Sequence, residues 1–91
     1  MADNITTGSV FDDLEDDPGV AEQLKIKAEL MNYLRQYIKD NNLTQEQAAQ
    51  KMGVHRPRVG DLARGHISVF TIDALVGMAA RVGLHPLKLV A

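Results

Sequence analysis

Residues 44–65 read TQEQAAQKMGVHRPRVGDLARG, and this stretch decides how the chain folds. It opens with Thr44, and Gln47 follows three residues later, which is the spacing of a capping box at the start of a helix. This helix is predicted to run to Met52, because Gly53 permits the left-handed backbone that commonly closes a helix. The first half of the stretch therefore predicts one short helix followed by a tight turn.

The second half predicts another short helix. His55 stands at its cap position, Pro57 lies in its first turn, where a missing amide costs little, and Gly65 marks its end. Two short helices joined by a tight turn that contains glycine form a helix-turn-helix motif. Small and apolar residues occur where the two helices should cross, namely Ala49, Val54, Val59 and Leu62.

Gly60 is the exception within this second helix. Glycine in a helix interior costs about 1 kcal/mol relative to alanine. Close approach of a DNA backbone or of another helix would explain Gly60, and simple tolerance of a weak helix former explains it equally well. The sequence leaves these explanations open.

The exposed face of the second motif helix predicts DNA binding. A rotation of about 100° per residue places Pro57, Asp61 and Arg64 roughly opposite the buried side. Arg56 and Arg58 then lie on either side of Pro57. Arginine reads guanine through a bidentate bond to O6 and N7 in the major groove, worth about 1 to 3 kcal/mol of discrimination. We therefore expect both arginines to read bases; the alternative is a face that is merely solvated.

Residues around this face are predicted to contact DNA phosphates. Thr44 and Gln45 stand at the start of the first motif helix, whose N-terminal amides help to hold an anion. Lys51, Arg64 and His66 would add phosphate contacts at the edges. The predicted DNA-binding residues are Thr44, Gln45, Lys51, Arg56, Pro57, Arg58, Asp61, Arg64 and His66.

Helices are also predicted on both sides of the motif, so the fold class is all-α. Asp17 and Pro18 start a long amphipathic helix that ends near residues 41–42. Thr71 caps a last helix that ends at Gly83. The predicted apolar stripes are Leu24, Met31, Leu34 and Ile38 in the first helix and Ile72, Leu75, Val76 and Ala79 in the last.

The chain divides into an acidic arm at residues 1–17 and an all-α DNA-binding domain at residues 18–91. Val10, Phe11 and Leu14 are apolar positions among the acidic residues of the arm, an arrangement that favours docking to a partner protein. A solvated tail is the alternative interpretation.

The last residues of the chain are predicted to serve dimerisation. Residues 87–91 are apolar apart from Lys88 and predict a brief strand that pairs with a partner chain. Together with the last helix they offer more apolar surface than one small core needs, which favours a homodimer.

Composition narrows the class of protein. The 91 residues contain no cysteine, which excludes disulfides and thiolate zinc sites. Residues 1–23 hold seven acidic residues and no Lys or Arg, whereas residues 24–91 hold all ten basic residues and five acidic ones. A near-neutral total of -2 therefore hides a basic body suited to a polyanion. No apolar run approaches the roughly 20 residues that span a bilayer, so a cytoplasmic protein without a membrane segment is expected.

An enzyme, a metal site or a cofactor is not expected. His55, His66 and His85 are scattered without the spacing of metal ligands. Ser9 and Ser68 lack the context of a catalytic triad.

Several segments resemble known families. The motif resembles the Xre/Cro-type helix-turn-helix family, and this resemblance implies a compact bundle of about five helices. It is carried by Gln45, Ala48-Ala49, Met52-Gly53-Val54, Pro57-Arg58-Val59, Asp61-Leu62 and Arg64-Gly65. Residues 10–14 (VFDDL), 24–30 (LKIKAEL) and 70–75 (FTIDAL) further resemble HigA-like antitoxins of type II toxin-antitoxin systems.

Membership of that group implies a homodimer that binds a palindromic operator, represses its own operon and neutralises a RelE-like ribonuclease toxin. The residues that would face DNA by position are Gln45, Arg56, Pro57, Arg58 and Asp61. The chain departs from the pattern at Gly60, where many relatives have serine, and at His55, which replaces a small hydroxyl cap.

Two other functions remain open on the sequence. A stand-alone phage-type or chromosomal repressor would use the same motif without a toxin. An interaction module that only sequesters a partner protein would use the fold without DNA, because function resides in sites and not in folds.

Overall fold

The computed structural model describes residues 17–85, and these residues are all-helical. Both the predicted arm up to residue 16 and the predicted strand at residues 87–91 lie outside the described residues. The helices are α1 (Pro18–Asp40), α2 (Gln45–Met52), α3 (Arg56–Ala63) and α4 (Ile72–Arg81), with a 3-10 turn at Ile67–Val69.

The helices begin where the sequence provides capping oxygens. Asp17 caps α1, and its Oδ1 accepts a hydrogen bond from the amide of Gly19 at 2.7 Å. Thr71 caps α4, and its hydroxyl oxygen accepts from the amide of Ala74 at 3.0 Å. His55 occupies the cap position of α3 without a side-chain hydrogen bond to the helix. The start of α3 therefore lacks the stabilisation of a side-chain cap and depends on contacts with the rest of the fold.

The core is aliphatic apart from one phenylalanine. Its main cluster joins α1 and α4 to the end of each motif helix, while a smaller cluster packs α2 directly on α3. The main cluster consists of Leu30, Met31, Leu34, Met52, Leu62, Phe70, Leu75, Met78 and Ala79, and the smaller one of Ala48, Ala49 and Val59. The α1–α4 pair thus forms a support on which the helix-turn-helix motif rests.

The helix count differs from the expectation of about five. Residues 17–85 contain four α-helices, because the connection between α3 and α4 is too short for another. Gly65, with a φ of 74°, ends the α3 region in the left-handed conformation. Since Thr71 already caps the next helix, only the 3-10 turn at Ile67–Val69 fits between them.

Two residues of the predicted apolar stripes are exposed. Leu24 is 44% exposed, whereas Ile26 two residues later packs on the core, so at this level of α1 the other helices cover the side of Ile26 and leave Leu24 on the surface. Val76 is 39% exposed, and Met78 is buried in α4 instead. The buried face of α4 is therefore rotated away from Val76, which leaves that side chain on the surface.

Candidate nucleic-acid interface

A tight turn at Gly53 sets the angle between α2 and α3. Gly53 has a φ of 71°, and the amide of Val54 donates to the carbonyl oxygen of Ala49 at 3.0 Å. Ala49 also packs with Val59 in the cluster between the two helices. Arg81 covers the turn from α4, since a Cβ on Gly53 would lie 2.7 Å from its Cδ atom. The left-handed backbone strongly favours glycine here, and any larger residue would also displace the Arg81 side chain.

The start of α2 is held by a complete capping box. The amide of Gln47 donates to the hydroxyl oxygen of Thr44 at 3.1 Å, and the amide of Thr44 donates to Oε1 of Gln47 at 2.9 Å. This confirms the box that the sequence predicts. Gln45 follows on the exposed side of the first turn. The remaining N-terminal amides and the side chain of Gln45 are thus placed together at a helix end that favours anions.

The first turn of α3 presents its polar residues to solvent. Arg56, Pro57 and Arg58 are all exposed. Within residues 17–85, Arg56 makes no hydrogen bond or ion pair with another side chain. The guanidinium of Arg58 instead lies 5.8 Å from the ring centroid of Phe70, at cation–π distance. The two arginines that the sequence treats alike therefore differ, because only Arg58 is steered by a neighbour.

Asp61 gathers three of the predicted DNA-binding side chains. Its Oδ2 lies 3.4 Å from Nη1 of Arg58, and its Oδ1 lies 3.3 Å from Nη2 of Arg64. Nδ1 of His66 is 3.2 Å from the same Oδ1. The Asp61 side chain is only 21% exposed, whereas those of its partners are 47 to 61% exposed. We name Arg58, Asp61, Arg64 and His66 the Asp61 cluster; Asp61 brings two arginines and one imidazole together beside α3.

Lys51 stands apart from the Asp61 cluster. It lies in the last turn of α2 and is exposed. In the described part of the chain it forms no ion pair with a carboxylate. Its ammonium is thus available to a ligand. Lys51 and Gln45 lie at opposite ends of α2.

Arg35 is a residue of this region that the sequence did not single out. Its Nη1 donates to the carbonyl oxygen of Leu62 in the last turn of α3 at 3.2 Å, across a separation of 27 residues. The bond ties α1 to α3. Arg35 also borders a shallow groove between α1, α2 and α3 that is lined by Arg35, Ile38, Lys39, Gln45, Val59 and Ala63. The available sequence signal was the helical spacing of Arg35, which stands four residues after Met31 and three before Ile38; the structure shows the arginine half-buried.

The predictions on partner binding, metal ligands and membrane segments can be compared only with residues 17–85. The predicted partner-binding residues Val10, Phe11 and Leu14 lie outside them. In residues 17–85, carboxylates and imidazoles nowhere gather in threes as metal ligands would. None of the helices in that range combines the length and the apolarity that crossing a bilayer requires.

One family comparison returns a match. A family model described as a helix-turn-helix domain matches residues 10–86, which is most of the chain. No curated protein and no solved structure matches. The matched range includes all four α-helices, so the family match and the observed α2–turn–α3 geometry concern the same part of the molecule.

Proposed function

The chain belongs to the helix-turn-helix domain family, and from that premise we propose that it is a sequence-specific, DNA-binding transcriptional repressor. The observation that carries the proposal is the exposed first turn of α3, where Arg56 and Arg58 flank Pro57. The major groove of B-DNA admits an α-helix, and guanidinium groups match the O6 and N7 acceptors of guanine. Function as a DNA-binding regulator is typical of this family's motif.

The surroundings of α3 support contact with the DNA backbone. Thr44 and Gln45 lie at the N-terminus of α2, and Lys51 lies exposed near its end. Phosphate contacts of this kind fix the register of a protein on DNA, whereas base contacts supply the sequence preference. Asp61 is the single acidic residue within α3, so the cations outnumber it on this helix.

The proposal is tested by selecting binding sites from a random-sequence duplex library with the full-length protein. We expect a consensus site, and we expect Arg56→Ala to weaken binding to it about tenfold or more. Binding of Arg56→Ala to random duplex should fall much less, since the lost contact is to a base. Lys51→Ala should weaken binding to both duplexes alike, because a phosphate contact carries no sequence information.

Lys25→Ala is the matched control, because Lys25 is an exposed cation on α1 and lies outside the motif. It should bind both duplexes as the unmodified protein does. Failure of the protein to enrich any sequence at low salt would contradict the proposal and favour the partner-sequestering module. Equal losses for Arg56→Ala on selected and random duplexes would contradict the base-reading role of Arg56.

We propose, more finely, that the protein is the antitoxin of a type II module that represses its own operon and neutralises a RelE-like ribonuclease. Support comes from the resemblance of residues 10–14, 24–30 and 70–75 to HigA-like antitoxins. The seven acidic residues within residues 1–23 also suit a basic partner protein. A stand-alone repressor would need neither feature.

Removal of residues 1–16 separates these functions. This deletion leaves Asp17, whose carboxylate caps α1, so the helical domain keeps its first cap. We expect operator affinity to be retained and neutralisation of the toxin encoded by the neighbouring open reading frame to be lost, measured as growth on co-expression. Unchanged neutralisation would reduce the segment to a tail. A neighbouring gene that encodes no ribonuclease-like protein would favour the stand-alone repressor.

A further inference from the structure

Gly60 creates a space on α3 that the side chain of Arg64 fills. A Cβ on Gly60 would lie 3.3 Å from Nη1 and 3.5 Å from Nη2 of Arg64. Arg56, Gly60 and Arg64 follow one another at intervals of four residues and so share one face of the helix. Gly60 is buried although it lies between two exposed arginines, because the guanidinium of Arg64 covers it.

Asp61 holds that guanidinium in place. Nη2 of Arg64 lies 3.3 Å from Oδ1 of Asp61, and the Arg64 side chain remains 61% exposed. Helical side chains lean toward the N-terminus of their helix, so Arg64 reaches back over the preceding turn. The Cα of Arg64 lies at the C-cap of α3. Its guanidinium nevertheless lies beside Gly60, near the middle of the helix face that also carries Arg56.

A guanidinium in this position is suited to a base contact. It carries five N–H donors in a rigid fork, and the bond to Asp61 leaves most of them for a ligand. An Arg64 side chain extended away from the helix would suit a phosphate at the edge of the interface. The observed conformation instead folds it along the helix face that enters the groove under the proposed function.

We propose that Arg64 is a specificity-determining residue that reads a guanine in the major groove, and that Gly60 and Asp61 position it. The proposal rests on the proposed DNA-binding function. It differs from the sequence-based expectation for Arg64, which assigned it to a phosphate. It also gives Gly60 a reason, because alanine or serine there would bring Cβ against the guanidinium.

The test uses Arg64→Lys, which keeps the charge and removes the fork. On the site selected by the unmodified protein, affinity should fall about tenfold or more. Affinity for random duplex should stay within about twofold, because a lysine still neutralises a phosphate. A repeated selection with Arg64→Lys should lose the guanine preference at one position and keep the rest of the consensus.

Gly60→Ala tests the positioning role with the arginine intact. It should lose preference at the same base position, while its melting temperature does not fall, since alanine favours a helix and the exposed Arg64 can move. Gly77→Ala is the matched control: Gly77 lies within α4, and its added Cβ would meet nothing within 4 Å. Gly77→Ala should not lower the melting temperature, and it should select the same consensus site as the unmodified protein. The Gly60→Ala, Arg64→Lys double variant should show little loss beyond Arg64→Lys alone.

The outcomes separate this proposal from the function on which it rests. Enrichment of no site by the unmodified protein overturns both. A consensus site that Arg64→Lys selects unchanged, or equal losses on selected and random duplexes, overturns the base contact of Arg64 alone. Loss of the guanine preference in Arg64→Lys but not in Gly60→Ala overturns the role of Gly60.

Discussion

The hydroxyl group of Thr44 caps α2, and we expect it to contact a DNA phosphate as well. Its oxygen accepts the amide hydrogen of Gln47 and thereby caps α2, which leaves the hydroxyl proton to be donated to a phosphate. We expect Thr44→Ala to lower the free energy of unfolding by about 1 kcal/mol, the usual value of a lost hydroxyl cap. Urea denaturation measures this loss: the midpoint should fall while the m-value stays unchanged.

Thr44→Ser is the control for this prediction, because serine caps a helix at least as well as threonine. It should keep both the stability and the DNA affinity of the unmodified protein. Thr44→Ala should in addition weaken binding to selected and random duplexes alike, as expected for a phosphate contact. Unaltered stability of Thr44→Ala would mean that the capping box contributes nothing measurable to α2.

At the scale of the element, α3 depends on a contact from α1. The Nη1 of Arg35 donates to the carbonyl oxygen of Leu62, which also accepts the amide of Gly65 at 3.2 Å. A cation is favourable at the C-terminal end of a helix, where the helix dipole is negative. We expect Arg35→Ala to lower the free energy of unfolding by about 1 kcal/mol, reduced from the value of a buried charged bond by partial exposure.

The same change should weaken DNA binding, because α3 loses the bond that fixes its end against α1. Affinities for selected and random duplexes should both fall, since the whole recognition helix is displaced. Gln36→Ala is the control. Nε2 of Gln36 donates a hydrogen bond to Oδ1 of Asp40 at 2.7 Å, on the exposed side of α1. Its effect should remain within about 0.5 kcal/mol, as for other surface substitutions. Equal effects of the two substitutions would exclude a positioning role for Arg35.

The elements also show which features a sequence can predict. The bounds of α2 depend on Thr44, Gln47 and Gly53, whose chemistry is local, and the structure confirms them. The exposure of Leu24 depends instead on which side of α1 the other helices cover, which no local pattern contains. The contact of Arg58 with Phe70 likewise joins residues on separate elements. Local signals thus predicted where α2 begins and ends, whereas packing between elements decided the exposure of Leu24 and the position of the Arg58 guanidinium.

At the scale of the molecule, charge is distributed in two parts. Residues 1–23 contain seven acidic residues and no Lys or Arg, so the cations that would meet DNA all lie further along the chain. Phosphate contacts release counterions, and affinity should therefore fall steeply as salt rises. An acidic segment attached to a DNA-binding domain opposes nonspecific attraction to the polyanion. Under the proposed function, the preference for an operator over other DNA should therefore come mainly from the base contacts of α3.

A palindromic operator requires two copies of α3, and exposed apolar residues offer a surface for pairing. Val76 on α4 is 39% exposed, and Val69 in the 3-10 turn is 45% exposed. We expect a homodimer that places two recognition helices about 34 Å apart, so the selected site should contain two half-sites about 10 base pairs apart. Sedimentation at micromolar concentration should show a dimer, and Val76→Lys should shift it toward monomer by placing charge in the interface.

Leu24→Lys is the control for the dimer interface, because Leu24 is apolar and similarly exposed, at 44% against 39% for Val76, but lies on α1. It should leave the dimer intact if α4 forms the interface. Val76→Lys should lose affinity for the complete palindrome and keep the affinity of a single half-site, since α3 itself is unchanged. A monomer in the unmodified protein, or a selected site with one half only, would contradict pairing through α4. Dissociation by Leu24→Lys and not by Val76→Lys would move the interface to α1.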